Sequence, residues 1–144
     1  MGRFLAIDYG KKRSGIAVTD VLNLISNPLT TVETTQLFDF IAEYVSKEDV
    51  ERIIIGKPLQ TNGEYSENMK RVEPFYNRLK KLYPSIIIEY FDERYTSVLA
   101  HQAILESGIK KKDRQNKALV DKISASIILE GYMEHLRFTN EHNN

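Results

Sequence analysis

The sequence predicts a single-domain α/β fold, a mixed five-stranded sheet flanked by helices. Three apolar runs, Phe4-Leu5-Ala6-Ile7, Ile53-Ile54-Ile55 and Ile86-Ile87-Ile88, read as strands, the first continuous rather than alternating, as a strand buried on both faces requires. Between and after them stand stretches whose apolar residues recur at helical spacing. A chain of 144 residues, 42% hydrophobic and 28% charged, is ordinary globular material with enough length for one core.

Taken in order, Phe4 to Asp8 is the first strand, Tyr9 to Arg13 a turn, and Ser14 to Thr19 a second strand completing a hairpin. A loop from Asn23 to Asn27 leads to a third extended piece, Pro28 to Glu33. Thr34 or Thr35 is expected to cap a helix whose buried stripe is Leu37 or Phe38, Ile41 and Val45. Arg52 to Gly56 is a short buried strand. The next helix should start near Ser66 and bury Met69, Val72, Tyr76 and Leu79, with Pro74 kinking it or opening its second half.

Ile86 to Phe91 is the fifth strand. Thr96 then caps a helix running to Ser107 and stopped by Gly108. The last helix spans about Lys117 to Leu136, followed by a polar tail expected to fray. Residues 1–137 are thus read as the domain and 138–144 as its tail. Helical crossovers make strands one, four and five parallel, so Asp8, Gly56 and Glu93 share the rim where α/β sheets bind ligands. The second strand runs the other way and carries Asp20 to the opposite edge as a turn residue.

Composition excludes several function classes. Without cysteine there is no disulfide, thiolate nucleophile or cysteine zinc site, which fits a reducing cytoplasm. No apolar stretch approaches the ~20 residues of a membrane helix, and the first residues offer no signal-peptide core, so no membrane partner is expected. Twenty basic residues balance twenty acidic ones, against a protein that coats nucleic acid by charge alone. The placement of the charges says more. Lys11, Lys12 and Arg13 follow one acidic candidate, while Lys110, Lys111, Lys112, Arg114, Lys117 and Lys122 crowd another. Such runs are commonly solvated surface; two of them flanking acids suit a phosphate-bearing ligand.

Three acids hold the chemistry: Asp8, one of Asp92 and Glu93, and Asp121. Carboxylates converging from distant segments repel unless cations neutralise them, so their convergence would imply a metal site. Each has a plainer alternative. Asp8 can accept backbone N–H bonds in the Tyr9-Gly10 turn. Asp92 and Glu93 point to opposite faces of an extended strand, and spacing does not choose between them. Asp121 lies on the inward stripe Asp121, Ala125, Ile128, Tyr132, yet an acid early in a helix is also favourable to its dipole. Small Ser124 and Ala125 beside it should let the helix approach the sheet. Gly56 to Gly63 reads as a loop with N–H groups suited to phosphate or as a simple connection. His101, His135 and His142 have no ligand spacing.

Four ordered motifs together resemble the YqgF (RuvX-like) family of pre-16S rRNA nucleases and Holliday junction resolvases. They are Asp8-Tyr9-Gly10 with Arg13 and Gly15, Gly56-Lys57-Pro58-Leu59 running to Gly63, Asp92-Glu93-Arg94 with Thr96, and Lys117 through Asp121 to Ala125 and Leu129. The resemblance spans Phe4 to about Tyr132. It implies an RNase H-like fold and three catalytic, metal-binding acids, which map onto Asp8, Glu93 and Asp121; Asp92 is set aside on that ground alone. It further implies hydrolysis of phosphodiester bonds with Mg2+ or Mn2+, two ions with Asp8 between them, and a 5′-phosphate product. Lys11, Lys12, Arg13, Arg94, Lys110, Lys111, Lys112, Arg114 and Lys117 would hold flanking phosphates. Lys57, where the family commonly has an apolar residue, would add charge at the rim.

The expected substrate is structured or single-stranded RNA, above all the 5′ end of precursor 16S rRNA, with branched DNA as the alternative. The chain would act as a monomer or homodimer. An actin-like ATPase shares this topology and the Asp-x-Gly hairpin, but closes two domains over its nucleotide, and this chain supplies one. A nucleic-acid-binding module that no longer cuts is the non-enzymatic rival.

Overall fold

The computed structural model describes residues 2–57, 67–92 and 117–143. In chain order these form β1 (Arg3–Asp8), β2 (Arg13–Thr19), β3 (Ser26–Glu33), a 3-10 turn (Thr34–Gln36) entering α1 (Leu37–Lys47), β4 (Val50–Lys57), α2 (Met69–Leu82), β5 (Ile87–Asp92) and α3 (Lys117–Asn143). The strands make one sheet, ordered β3-β2-β1-β4-β5. β1 runs antiparallel to β2 and parallel to β4, and β4 runs parallel to β5. The C-terminal ends of β1, β4 and β5 therefore share one rim, with Ile7 beside Ile55 and Lys57 beside Asp92. The helix expected over Thr96–Ser107, the loop through Gly63 and the basic segment from Lys110 lie outside the described residues.

Alternation divides the apolar strand residues between two cores. Leu5, Ile7, Ile16, Val18, Ile53, Ile55 and Ile88 pack with Leu37 and Ile41 of α1 and Val72, Phe75 and Leu79 of α2. Phe4, Ala6, Ala17 and Ile54 pack on the other face with Ala125, Ile128, Leu129, Tyr132 and Met133 of α3. Burial on both sides explains the unbroken apolar runs of β1 and β4, whereas β5 lies at the sheet edge and Ile87 of the third run is exposed.

Several boundaries differ from the sequence reading. β3 starts at Ser26, because Ser26 and Asn27 already pair with Thr19 and Val18. In α2 the buried aromatic is Phe75; Tyr76 is half-buried, stacks on Tyr90 with ring centroids 3.9 Å apart and donates its hydroxyl to the Ile88 carbonyl. Pro74 lies within α2. The last helix does not end near Leu136 but continues to Asn143, since the polar stretch after Leu136 contains neither proline nor glycine to stop it. Polarity alone ends no helix. Thr34 does not cap α1, for its hydroxyl is engaged elsewhere, as described below.

Asp20 is the turn residue expected at the far edge. Its Oδ1 accepts the backbone N–H groups of Leu24 and Ile25 at 2.7 and 2.9 Å. Those bonds, led by the one from Ile25, lower its carboxyl below the ordinary 3.8. A lowered folded value means that the turn is stabilised above the unfolded value and loses this support as pH falls through the folded one. The Leu24 and Ile25 amide resonances should titrate with a midpoint below 3.8, and Asp20→Asn should erase that titration.

Candidate functional site

The site begins at the turn after β1. A Cβ on Gly10 would sit 2.2 Å from the Arg13 carbonyl oxygen, so the chain closes on itself too tightly for any side chain there. Buried Ser14 accepts the Gly10 N–H through Oγ at 3.3 Å. The Thr34 hydroxyl donates to the Gly10 carbonyl at 2.7 Å and lies 2.9 Å from Ser14 Oγ, while Thr34 N–H donates to the Lys12 carbonyl. From the start of α2, Asn68 Nδ2 donates to the Tyr9 carbonyl at 2.7 Å. Lys11 and Lys12 are exposed on a turn braced from several sides.

Asp8 takes its direction from β1. Phe4 and Ala6 face α3, and the period of two carries Asp8 to that same face, half-buried at the rim. Directly across the ladder from Asp8 stands Gly15. A Cβ on Gly15 would lie 2.1 Å from the Asp121 carbonyl oxygen, 2.3 Å from its carbonyl carbon and 2.9 Å from Lys122 N. Here α3 rests backbone against backbone on β2. The α carbons of opposed antiparallel residues are only about 5 Å apart. Asp8 and Asp121, 113 positions apart in sequence (121 − 8), are therefore neighbours around Gly15.

Arg13 joins them. Its Nε donates to Asp121 Oδ2 at 3.2 Å, with the two side chains 38% and 26% exposed. Arg13, expected to hold a phosphate, pairs here with Asp121. Other candidates go elsewhere. Ile88 and Tyr90 face α1 and α2 whereas Phe91 faces α3, so Asp92 falls on the side away from Asp8. Lys57 also turns away, its ammonium 5.5 Å over the Tyr90 ring. Lys117 is the first residue of α3, and His135 is exposed further along that helix. Glu93, Arg94, Lys110, Lys111, Lys112 and Arg114 lie outside the described residues.

Among the described residues no three His, Cys, Asp or Glu side chains group as metal ligands. Asp8 lies opposite Gly15 in the ladder, the Asp121 backbone lies against that same glycine, and the Asp121 carboxylate is paired with the Arg13 guanidinium. Such hard oxygen donors suit Mg2+ or Mn2+ rather than a soft metal.

Two features escaped the sequence reading. One is the role of Gly15, named in a motif but not as a contact with the last helix; a glycine inside a strand marks close backbone approach, and that signal was present. Ala125, one of the small residues expected to let α3 approach the sheet, is fully buried against it. The other is a polar link between sheet and helix on the same face. The Tyr132 hydroxyl accepts from Arg52 at 2.7 Å and donates to Glu89. Burial first, then the Glu89 bond, pushes the Tyr132 hydroxyl up to about 12, so it stays protonated and can serve both partners. No sequence spacing signals this trio.

Comparison with known proteins names the site's setting. A family model described as RuvX, Holliday junction resolvase, matches residues 2–135. The chain belongs to the RuvX family. Its sheet with flanking helices is the RNase H-like fold of that family. It is 64% identical over 138 residues to proteins of Phocaeicola vulgatus and Bacteroides thetaiotaomicron, covering 96% of this chain and 99% and 100% of theirs. A Porphyromonas gingivalis relative is 53% identical over 135 residues, covering 94% of this chain and 98% of its own. All three bear the name "Putative pre-16S rRNA nuclease". Among the described residues no helix is long and apolar enough to cross a membrane.

Proposed function

We propose that this RuvX-family chain is a metal-dependent endonuclease of the cytoplasm that trims the 5′ end of precursor 16S rRNA. One observation supports the reading most: Gly15, paired with Asp8 in the ladder, has the backbone of Asp121 against it, so two hard donors from opposite ends of the chain come to the same part of the rim. The third ligand in this reading is Glu93, as the family resemblance implies, and the placing of Asp92 on the face away from Asp8 is consistent with that choice. The residues fit Mg2+ or Mn2+, which when bound supply an activated water and stabilise charge on the departing 3′-oxygen.

The protein's own contribution is placement. The braced turn keeps Lys11 and Lys12 at the rim, where they hold backbone phosphates without reading bases. Arg94, Lys110, Lys111, Lys112, Arg114 and Lys117 extend that basic supply along the strand. Lys57 is left out of the phosphate path, because it lies over Tyr90 on the opposite face. The RNA substrate is supported by the names of the relatives, while the family description favours a four-way DNA junction as the second reading. A single RNA strand needs one active site; a junction needs a two-fold pair.

A direct test incubates the protein with a precursor 16S rRNA 5′ leader and, separately, with a four-way DNA junction, in Mg2+, Mn2+ or EDTA. Cleavage of the leader to 5′-phosphate ends, abolished by EDTA, is expected. Cutting that survives EDTA, or none on either substrate, would overturn the reading.

A further inference from the structure

We propose that Arg13 is a shared counter-ion, pairing with Asp121 until a divalent ion claims that carboxylate and then turning to the substrate phosphate. The inference rests on the metal-nuclease reading and adds a coupling between metal loading and nucleic-acid binding.

The geometry is specific. Arg13 reaches Asp121 Oδ2 through Nε alone, at 3.2 Å. That is a single hydrogen bond, not the two-pronged grip of which a guanidinium is capable. Both side chains are partly exposed, 38% and 26%, so water screens the pair and its strength is modest. A weak ion pair across the site is easily displaced. The carboxylate oxygen cannot serve a guanidinium and a divalent ion at full strength together, so the two cations compete for Asp121.

The backbone of Arg13, by contrast, does not move easily. It opens β2 immediately after the turn braced by Ser14 and Thr34, and it pairs with Glu33 in the sheet. A displaced guanidinium therefore remains at the rim, next to exposed Lys11 and Lys12. There a backbone phosphate, with oxygens spaced for a bidentate guanidinium, is its best available anion. Metal binding thus frees a phosphate ligand. By linkage, phosphate capture by Arg13 must also strengthen metal binding.

The test measures Mn2+ affinity by electron paramagnetic resonance, without nucleic acid, in wild type, Arg13→Gln and Arg13→Lys. Losing the competitor should tighten Mn2+ binding about threefold to fivefold in Arg13→Gln. RNA affinity is then measured with and without Ca2+, chosen to load the site while suppressing turnover. Ca2+ should raise wild-type RNA affinity, with the gain about threefold smaller in Arg13→Gln and intermediate in Arg13→Lys. A merely structural role for Arg13 would not tighten Mn2+ binding. Unchanged or weaker Mn2+ binding in Arg13→Gln, or an undiminished Ca2+ gain, overturns the counter-ion role alone. Failure of the wild type to bind Mn2+ would sink the nuclease reading and this inference together.

Discussion

Asp8→Asn is expected to slow cleavage about a thousandfold, the loss of some 4 kcal/mol of transition-state stabilisation, and to leave the fold intact. An asparagine keeps the shape and hydrogen-bonding reach of the side chain but not the charge that a divalent ion needs. Asp8 sits half-buried at the end of β1, outside both apolar cores, so unfolding should shift by no more than about 1 kcal/mol. Single-turnover cleavage beside a thermal melt separates the two effects. Activity within tenfold of wild type would show that Asp8 holds no essential metal.

Gly15→Ala should be the most damaging small substitution in the sheet. The new methyl would fall 2.1 Å from the Asp121 carbonyl oxygen and 2.3 Å from its carbon, contacts no real Cβ makes. Neither atom belongs to a flexible side chain, so α3 must lift or β2 must sink. Overpacking of this kind costs about 3 kcal/mol, or roughly 10 °C in melting temperature for a domain of this size. Because the lifted segment carries Asp121, metal affinity should fall with stability. Gly10→Ala, which clashes at the turn but not at α3, would give the stability loss without the same direct displacement of Asp121. A Gly15→Ala protein with unaltered melting would mean that helix and strand do not meet as described.

Much of this architecture is legible in the residues because the three central strands, β1, β2 and β4, announce themselves by burial. Ile53, Ile54 and Ile55 can only be a strand covered on both faces, and the two cores of the structure cover them. The stripe of Asp121, Ala125, Ile128 and Tyr132 likewise turns the last helix inward as its spacing requires. What stayed hidden depends on contacts between distant segments. Nothing near Arg13 says that its partner is Asp121 rather than a phosphate, and nothing near Thr34 diverts its hydroxyl from a helix cap to the Gly10 carbonyl. The face taken by Asp92 was closed to spacing for a different reason. Alternation gives opposite faces but not which face is which until Tyr90 and Phe91 are seen in their separate cores. Lys57 shows the same limit, for its rim position was foreseeable and its face was not.

Crystals soaked in Mn2+ and measured at the manganese absorption edge put the whole reading at risk in one map. An anomalous peak within coordination distance of both the Asp8 and Asp121 carboxylates is expected, with Arg13 drawn back from Oδ2. Well-occupied manganese elsewhere on the molecule, and none between those two side chains, would contradict a metal centre built on Gly15.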